Sequence, residues 1–365
     1  MTEPDRFPSP LESGLSALVF NYNGGERILN TLASLEKQRS AFDSIVVVDN
    51  GSDDGSLESI VSGFGGVEVV ELGENLGLPA ARNAGLRRVE SELVLMVDGD
   101  VYLEEGCVER LVCALRSHDA AVVCPRIRLL PESEVVQADG AAPHFIGTLR
   151  LRHAYQPLAA LSDTVADVGG CIGACMLLDR RKVIQAGGFD ELFFFYLEDL
   201  DFTLRMRMRG FRFVCDPGAV VYHDRGEGTP GLGYRGGSDY PARRAYLTIR
   251  NRLLAILIAF RLRTIVVLAP ALLAYELASL GLCIGRGWVG EWLQAWTWLI
   301  RNRGVIRERR KRVQASRVLP DREILEGGAL PLAHGVVRSR AAGVATAALS
   351  SLLGGYWKLA RPWVG

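Results

Sequence analysis

Leu93-Val94-Leu95-Met96-Val97-Asp98-Gly99-Asp100 is a run of apolar side chains closed by two carboxylates around a glycine. A continuous apolar run of strand length that stops at turn residues reads as a strand covered on both faces, because neither face carries polar side chains. Upstream, Leu15–Phe20 and Ser44–Val48 have the same character, and Val67–Glu71 reads as a further strand. Between them, Glu26–Gln38 carries Ile28, Leu29, Leu32 and Leu35 at helical spacing. A helix is expected to start near Gly55, and Leu78–Val89 reads as another. Strand and helix alternating in this way predict an α/β fold, a parallel sheet with helices on both faces. Ligands of such sheets sit at the carboxyl ends of the strands.

Polar residues gather at those ends. The first strand runs into Asn21-Tyr22-Asn23-Gly24-Gly25 and the second into Asp49-Asn50-Gly51-Ser52-Asp53-Asp54. The third leads to Gly73-Glu74-Asn75-Leu76-Gly77, and the fourth stops at Asp98-Gly99-Asp100. One such loop is ordinary turn chemistry. Four on one edge describe a site the size of a nucleotide.

Carboxylates two residues apart in a tight turn can hold one hard divalent cation that bridges to phosphate oxygens. Alone, Asp98-Gly99-Asp100 reads equally as a polar turn; after a buried strand the metal reading is the stronger. The spacing GxGxxG occurs at residues 226–231, 231–236 and 285–290, none of them after a strand of the alternating half where a dinucleotide-binding loop would stand, and no P-loop GxxxxGK[ST] is present. Instead Gly77 and Pro79 open a helix with Arg82 one turn in, placed to reach a phosphate or simply to lie at the surface. Further on, Phe193-Phe194-Phe195-Tyr196 precedes Glu198-Asp199-Leu200-Asp201. Acids there complement a helix dipole, and beside so apolar a segment they also suit general-base work. Ala219–Tyr222 reads as a strand ending in His223-Asp224, ahead of a segment with six Gly in residues 225–240, read as a lid.

The segments VFNYNGGERILNTLASL, IVVVDNGSDDGS, ENLGLPAARNAGL, LVLMVDGD, GGFDELFFFYLEDLDFTLRMRMRG and AVVYH, in that order from Leu15 to His223, resemble the family 2 glycosyltransferases. The likeness is greatest to the bacterial rhamnosyltransferase-like branch. The resemblance implies a GT-A fold, with a Rossmann-like, mixed but mostly parallel sheet. It also implies an inverting transfer of sugar from a nucleotide-diphosphate donor to a hydroxyl. By the same resemblance Asp98 and Asp100 correspond to the pair that binds metal and diphosphate, with His223 as the third ligand of Mg²⁺ or Mn²⁺. Asp199 corresponds to the base that deprotonates the acceptor. Asn21, Tyr22, Asn23, Asp49 and Asn50 correspond to the segments enclosing nucleobase and ribose, with Asn75 in the neighbouring loop and Arg82 near the diphosphate. Two further readings stay open: a transferase whose acceptor is a polyprenyl phosphate, and a catalytically silent sugar-nucleotide-binding module.

Charge divides the chain. Residues 1–240 hold 22 Lys/Arg and 36 Asp/Glu, and residues 241–365 hold 20 and 6, so a net −14 faces a net +14. All six Trp lie in the basic part. The expected organisation is a disordered tail 1–14, a catalytic domain 15–240, and a helical, basic, Trp-rich membrane-associating region 241–365. Thr264–Gly285 is long enough for one crossing, but it contains Pro270 and Glu276, which favours a helical hairpin or in-plane insertion. Trp288, Trp292, Trp296 and Trp298 would sit at the headgroup boundary. The run Arg301, Arg303, Arg307, Arg309–Arg312 would meet anionic lipid. Ala341–Trp357 would add a second interfacial helix. No nucleic-acid-binding motif accompanies the charge. The seven scattered Cys form no CxxC pair and read as small buried side chains in a reducing cytoplasm. The polar, Pro-rich start lacks the pattern of a signal peptide, which places the head on the cytoplasmic face of the membrane. That setting suggests a polyprenyl-diphosphate-linked glycan as acceptor.

Overall fold

The computed structural model describes residues 14–224, 241–331 and 340–365. The expected lid at 225–240 and the tail at 1–13 lie outside the described residues. The chain begins β1 (Leu15–Asn21), α1 (Gly25–Glu36), β2 (Ser44–Asp49), α2 (Ser56–Gly63), β3 (Glu68–Glu71), α3 (Leu78–Arg88) and β4 (Leu93–Asp98). It continues with β5 (Val101–Leu103), α4 (Cys107–Ser117), β6 (Val122–Leu130), β7 (Val135–Ala138), β8 (Ala141–His144), β9 (Thr148–Leu151) and β10 (Gln156–Pro157). Next come β11 (Ala166–Val168), β12 (Cys175–Asp179), α5 (Arg180–Gln185), α6 (Glu198–Met208) and β13 (Phe213–Asp224). The remaining elements are helices: α7 (Ala242–Ala259), α8 (Leu262–Arg286), α9 (Val289–Arg301), α10 (Arg303–Ala315), α11 (Asp321–Ile324) and α12 (Arg340–Ala360).

These elements form two compact units, and the chain passes between them more than once. The first holds residues up to Gly140, His153–Phe194 and Arg212–Arg225; the second holds Ala141–Arg152, Phe195–Phe211 and the chain from Gly226 on.

The first unit is built on one mixed sheet of order β10-β7-β6-β12-β4-β1-β2-β3, with β13 paired to β6, β5 and β11. The β4-β1-β2-β3 half is parallel, as the alternating pattern requires, and β12 joins β4 antiparallel. Register puts Asn21 beside Asp49 and Phe20 beside Asp98, so the polar loops leave the sheet at one level. Every residue of β1 is buried. From α1, Ile28, Leu32 and Leu35 pack onto Val19, Val47 and Val97, and α4 contributes Val108, Leu111 and Val112 to the same core. Each such side chain stabilises the fold by roughly 1.5–3 kcal/mol through removal from water.

In the second unit α7 lies against α6, α9 and α10, while α8 lies against α9 and α12. The carbonyls at the end of α7 have no helical partners and are met by side chains. Arg310 donates to Leu257 and Phe260 at 2.6 and 2.7 Å, and Gln314 to Ile258 and Ala259 at 3.0 and 2.8 Å. Arg310 of the basic run is therefore tied to the protein. Leu268, Ala271 and Cys283 of α8 are buried. Leu262, Val266, Leu273, Leu277 and Ile284, spaced along another stripe of the same helix, are 60–72% exposed. Leu293 and Ile300 on α9 and Val344, Leu352 and Leu359 on α12 are exposed as well.

Trp292 and Trp296, both half-exposed, donate their indole N–H groups to Glu276 at 2.8 and 3.2 Å, and the Arg252 guanidinium binds the same carboxylate. A carboxylate on an apolar helix needs such donors. Trp298 lies under the Arg250 guanidinium at 4.8 Å and Trp288 under that of Arg286 at 5.4 Å. All seven cysteines are free thiols, and only Cys113 is exposed.

Candidate active site

The first unit holds the nucleotide-side residues. Asn21 is buried and its amide donates to Asp49 at 2.7 Å, Ser56 at 2.9 Å and Ser52 at 3.1 Å. Asp49, also buried, accepts from Ser52 Oγ at 2.6 Å and from the Gly51 and Ser52 backbone N–H groups at 3.1 and 3.0 Å. Both side chains thus brace the two loops against each other. Asn50 donates to Asn75 at 3.1 Å and accepts from the Leu76 N–H at 3.0 Å, which ties the second loop to the third. The fit is tight: a Cβ on Gly51, at φ +78°, would lie 2.6 Å from Glu74 Cα. Asn23 and Asp53 exchange hydrogen bonds at 2.8 and 2.9 Å, and Tyr22, next to Asn23 in the chain, is half-exposed. Burial would raise the Asp54 carboxyl, but donors from Ser56 and Gly25 outweigh it and hold it below its usual value.

Arg82 is fully buried. Its guanidinium lies over the rings of Phe189 and Phe20 at 5.2 and 5.9 Å, and Nη2 donates to the Gly173 carbonyl at 3.0 Å and reaches Asp98 Oδ1 at 3.4 Å. Gly173 must be glycine, because a Cβ there would meet Nη2 at 2.2 Å. The side chain that local spacing points toward a phosphate thus stands within reach of Asp98. Asp98 keeps more than a quarter of its side chain exposed.

Gly99 between the carboxylates allows close approach, since a Cβ there would stand 2.8 Å from the Phe20 carbonyl. Beyond it, β5 pairs antiparallel with β13 so that Val101 opposes His223. This register brings His223 Nε2 to 3.4 Å from Asp100 Oδ1. His223 Nδ1 meets Gln137 Oε1 of β7 at 2.7 Å. With the amide oxygen as acceptor, Nδ1 carries a hydrogen toward Gln137, and Nε2 is the ring nitrogen that faces Asp100. Tyr102 donates to Asp224 at 2.8 Å; burial and that carboxylate push its hydroxyl up to about 12.

Two ligands beside one octahedral ion at about 2.1 Å stand about 3 Å apart. Asp100 and His223 fit this, and the Gln137 contact supplies the outer-shell acceptor that metal-binding histidines use. Asp98 is held on Arg82. Among the described residues no three His, Cys, Asp or Glu side chains stand close enough together to hold an ion. Sequence reasoning gave no signal for Gln137, which lies 86 positions from His223.

The acids expected as base candidates open α6, in the second unit. Asp201 is fully buried and paired with Arg205 at 2.7 Å; Glu198 is buried as well. Asp199 is half-exposed and accepts from the Leu200 N–H at 2.8 Å.

Residues 16–184 match the family model described as glycosyl transferase family 2. That segment is a family 2 glycosyltransferase domain. An N-acetylglucosaminyl-diphospho-decaprenol L-rhamnosyltransferase of Mycobacterium tuberculosis (strain ATCC 25618 / H37Rv) is 28% identical over 239 residues, 59% of this chain and 77% of that protein. A pre-mycofactocin glycosyltransferase of the same strain is 30% identical over 267 residues, 73% of this chain and 52% of its own length. Among solved structures, GalNAc-T7 with UDP, GalNAc and Mn²⁺ aligns with a TM-score of 0.57 at 14% identity, over 73% of this chain and 51% of that one. This family 2 glycosyltransferase therefore has the GT-A fold expected, with a helical region at its C-terminal end.

Proposed function

We propose that this glycosyltransferase moves a sugar, with inversion, from a nucleotide-diphosphate donor to a hydroxyl of a polyprenyl-diphosphate-linked glycan. The reaction would serve cell-envelope polysaccharide synthesis at the cytoplasmic face of a membrane. The observation that carries the catalytic part is Asp100 Oδ1 facing His223 Nε2 at 3.4 Å, with the imidazole held by Gln137. A bound Mg²⁺ or Mn²⁺ would neutralise charge developing on the leaving diphosphate. Asp100 and His223 would hold it, with Asp98, whose Oδ1 lies 3.4 Å from Arg82 Nη2, as the further ligand expected. The braced loops at Asn21, Tyr22, Asn23, Asp49, Asn50 and Asn75 form a rigid rim suited to nucleobase and ribose.

In the transfer the bond from the anomeric carbon to the phosphate oxygen breaks and one to the acceptor oxygen forms. The acceptor proton passes to the Asp199 carboxylate. Support for Asp199 over its neighbours is that Glu198 and Asp201 are buried, the latter in an ion pair.

The lipid-linked acceptor is supported by the decaprenol-diphosphate substrate in the mycobacterial relative's name and by the second unit's surface. Among the described residues one helix, α8, is long and apolar enough to cross a membrane, with a mean hydropathy of 2.0 over its most apolar stretch, little of which is buried. Exposed apolar stripes on α8, α9 and α12, next to a basic run, suit in-plane insertion into an anionic surface. Nucleic acid is not part of this reading. The test is a panel of nucleotide sugars incubated with Mn²⁺ and a polyprenyl-diphosphate glycan in detergent. Metal-dependent release of nucleoside diphosphate with glycan extension is expected, and extension undiminished in excess chelator would refute it.

A further inference from the structure

The turn that delivers α6 is strained. Phe194, Tyr196 and Leu197 have φ of +58°, +65° and +59°, a left-handed region that is unfavourable for a side-chain-bearing residue. None of the three is glycine, so the conformation persists only because something holds it.

Within the second unit that something is Asn251. It is fully buried in the middle of α7, where an asparagine weakens a helix unless its amide is used elsewhere. Its Nδ2 donates to the carbonyls of Phe195 at 2.9 Å and Tyr196 at 2.6 Å. Arg250 Nε donates to its Oδ1 at 2.8 Å. Two N–H bonds meet two carbonyls and the amide oxygen meets a cation, so only one orientation of the side chain fits. Arg250 is itself packed against the Trp298 ring at 4.8 Å and the Tyr246 ring at 5.6 Å. The Arg244 guanidinium covers the Tyr196 ring at 4.8 Å.

We propose that Asn251, oriented by Arg250, is a positioning residue: it fixes the Phe195–Leu197 backbone and so the place from which Asp199 meets the acceptor hydroxyl. This rests on the reading of Asp199 as the base. Asp199 is the second residue of α6, immediately after the turn, and a small rotation there moves its carboxylate while the buried Glu198 and Asp201 anchor the helix. Misplacing a reacting group by an ångström costs on the order of 100-fold in rate.

The test uses the full chain in detergent with Asn251→Ala, Asn251→Ser, Asp199→Asn and the double variants. Amide hydrogen exchange at 196–201, affinity for Mn²⁺ with UDP, GDP or dTDP, and transfer kinetics are measured together. Asn251→Ala should speed exchange in the turn and lower kcat roughly 10- to 100-fold, with nucleotide affinity within about twofold. It should add nothing once Asp199 is Asn, because the pair acts as one unit. Asn251→Ser, which keeps a single donor, should fall between. If Asn251→Ala does not fold, Asn251→Ser and Arg250→Gln, which removes the orienting donor, carry the same comparisons. Unchanged exchange in the turn, or losses that multiply fully with Asp199→Asn, would overturn the proposal. Wild-type turnover in Asp199→Asn would instead overturn the base assignment and its catalytic consequence, while exchange decides separately whether Asn251 holds the turn.

Discussion

Glu276, halfway along α8, accepts the indole N–H of Trp292 at 2.8 Å. Arg252 and Trp296 bind the same carboxylate, so the charge of α8 is met from the protein side and a different stripe of the helix is left apolar. An ionised group in hydrocarbon is costly unless paired. The pairing fits a helix that lies with one face on protein and another in the membrane boundary.

Leu273→Gln with Leu277→Gln should weaken binding to anionic vesicles without changing the melting temperature, because both side chains are about 60% exposed. Burying two leucines is worth about 3 kcal/mol or more, so a loss of at least roughly 100-fold in partitioning is expected at low salt. Flotation with wild-type and variant protein would measure it. Equal binding by both would remove the apolar stripe from the membrane reading.

Asp100→Ala should abolish the Mn²⁺-dependent part of nucleoside diphosphate binding, measured by calorimetry with and without chelator. His223→Ala should weaken it in the same direction, as the 3.4 Å contact implies. Gln137→Leu, which removes the acceptor for Nδ1, should cost roughly 10- to 100-fold in Mn²⁺ affinity, the usual size of an outer-shell loss. Nucleotide affinity that ignores all three changes would leave no role for the pair.

Asp199→Asn should lower transfer roughly 10²–10⁴-fold at unchanged donor affinity. Glu198→Gln and Asp201→Asn should act mainly on folding, since both side chains are buried. A polyprenyl phosphate acceptor needs no strong base. Full turnover by Asp199→Asn with such an acceptor would therefore favour that chemistry.

His144 supplies a pH dependence of stability in the second unit. Burial, opposed by the Gly328 carbonyl, pushes its imidazolium down from 6.5 to about 4. The unfolded chain holds the proton between those values and the folded chain does not. Stability is therefore fully present above about 6.5 and is lost as pH falls toward about 4, by about 1.4 kcal/mol per unit. Phe145, beside His144, stacks on Trp357 at 4.8 Å, so tryptophan emission should follow the loss. His144→Gln should flatten the dependence, and an identical profile in that variant would assign it elsewhere.

Patterns confined to neighbouring residues determined much of this protein. Apolar runs at Leu15–Phe20, Ser44–Val48 and Leu93–Val97 set the parallel half of the sheet, because strands covered on both faces have no alternative pattern. The turn clusters after them put Asn21, Asp49 and Asp98 at one edge for the same reason. Tertiary structure alone decided what each polar side chain faces. Arg82 is drawn inward by Phe20, Phe189 and Gly173. Trp292 and Trp296 share Glu276 as their acceptor. Asp199 stays half-exposed, whereas Glu198 and Asp201 are buried and Asp201 is paired with Arg205. Gln137 and Asn251 carry no local motif and act on residues 86 and 55–56 positions away. Backbone conformation and apolar periodicity are settled within a few residues. The energy of a buried donor, acceptor or charge depends on partners that only the folded chain brings within hydrogen-bonding distance.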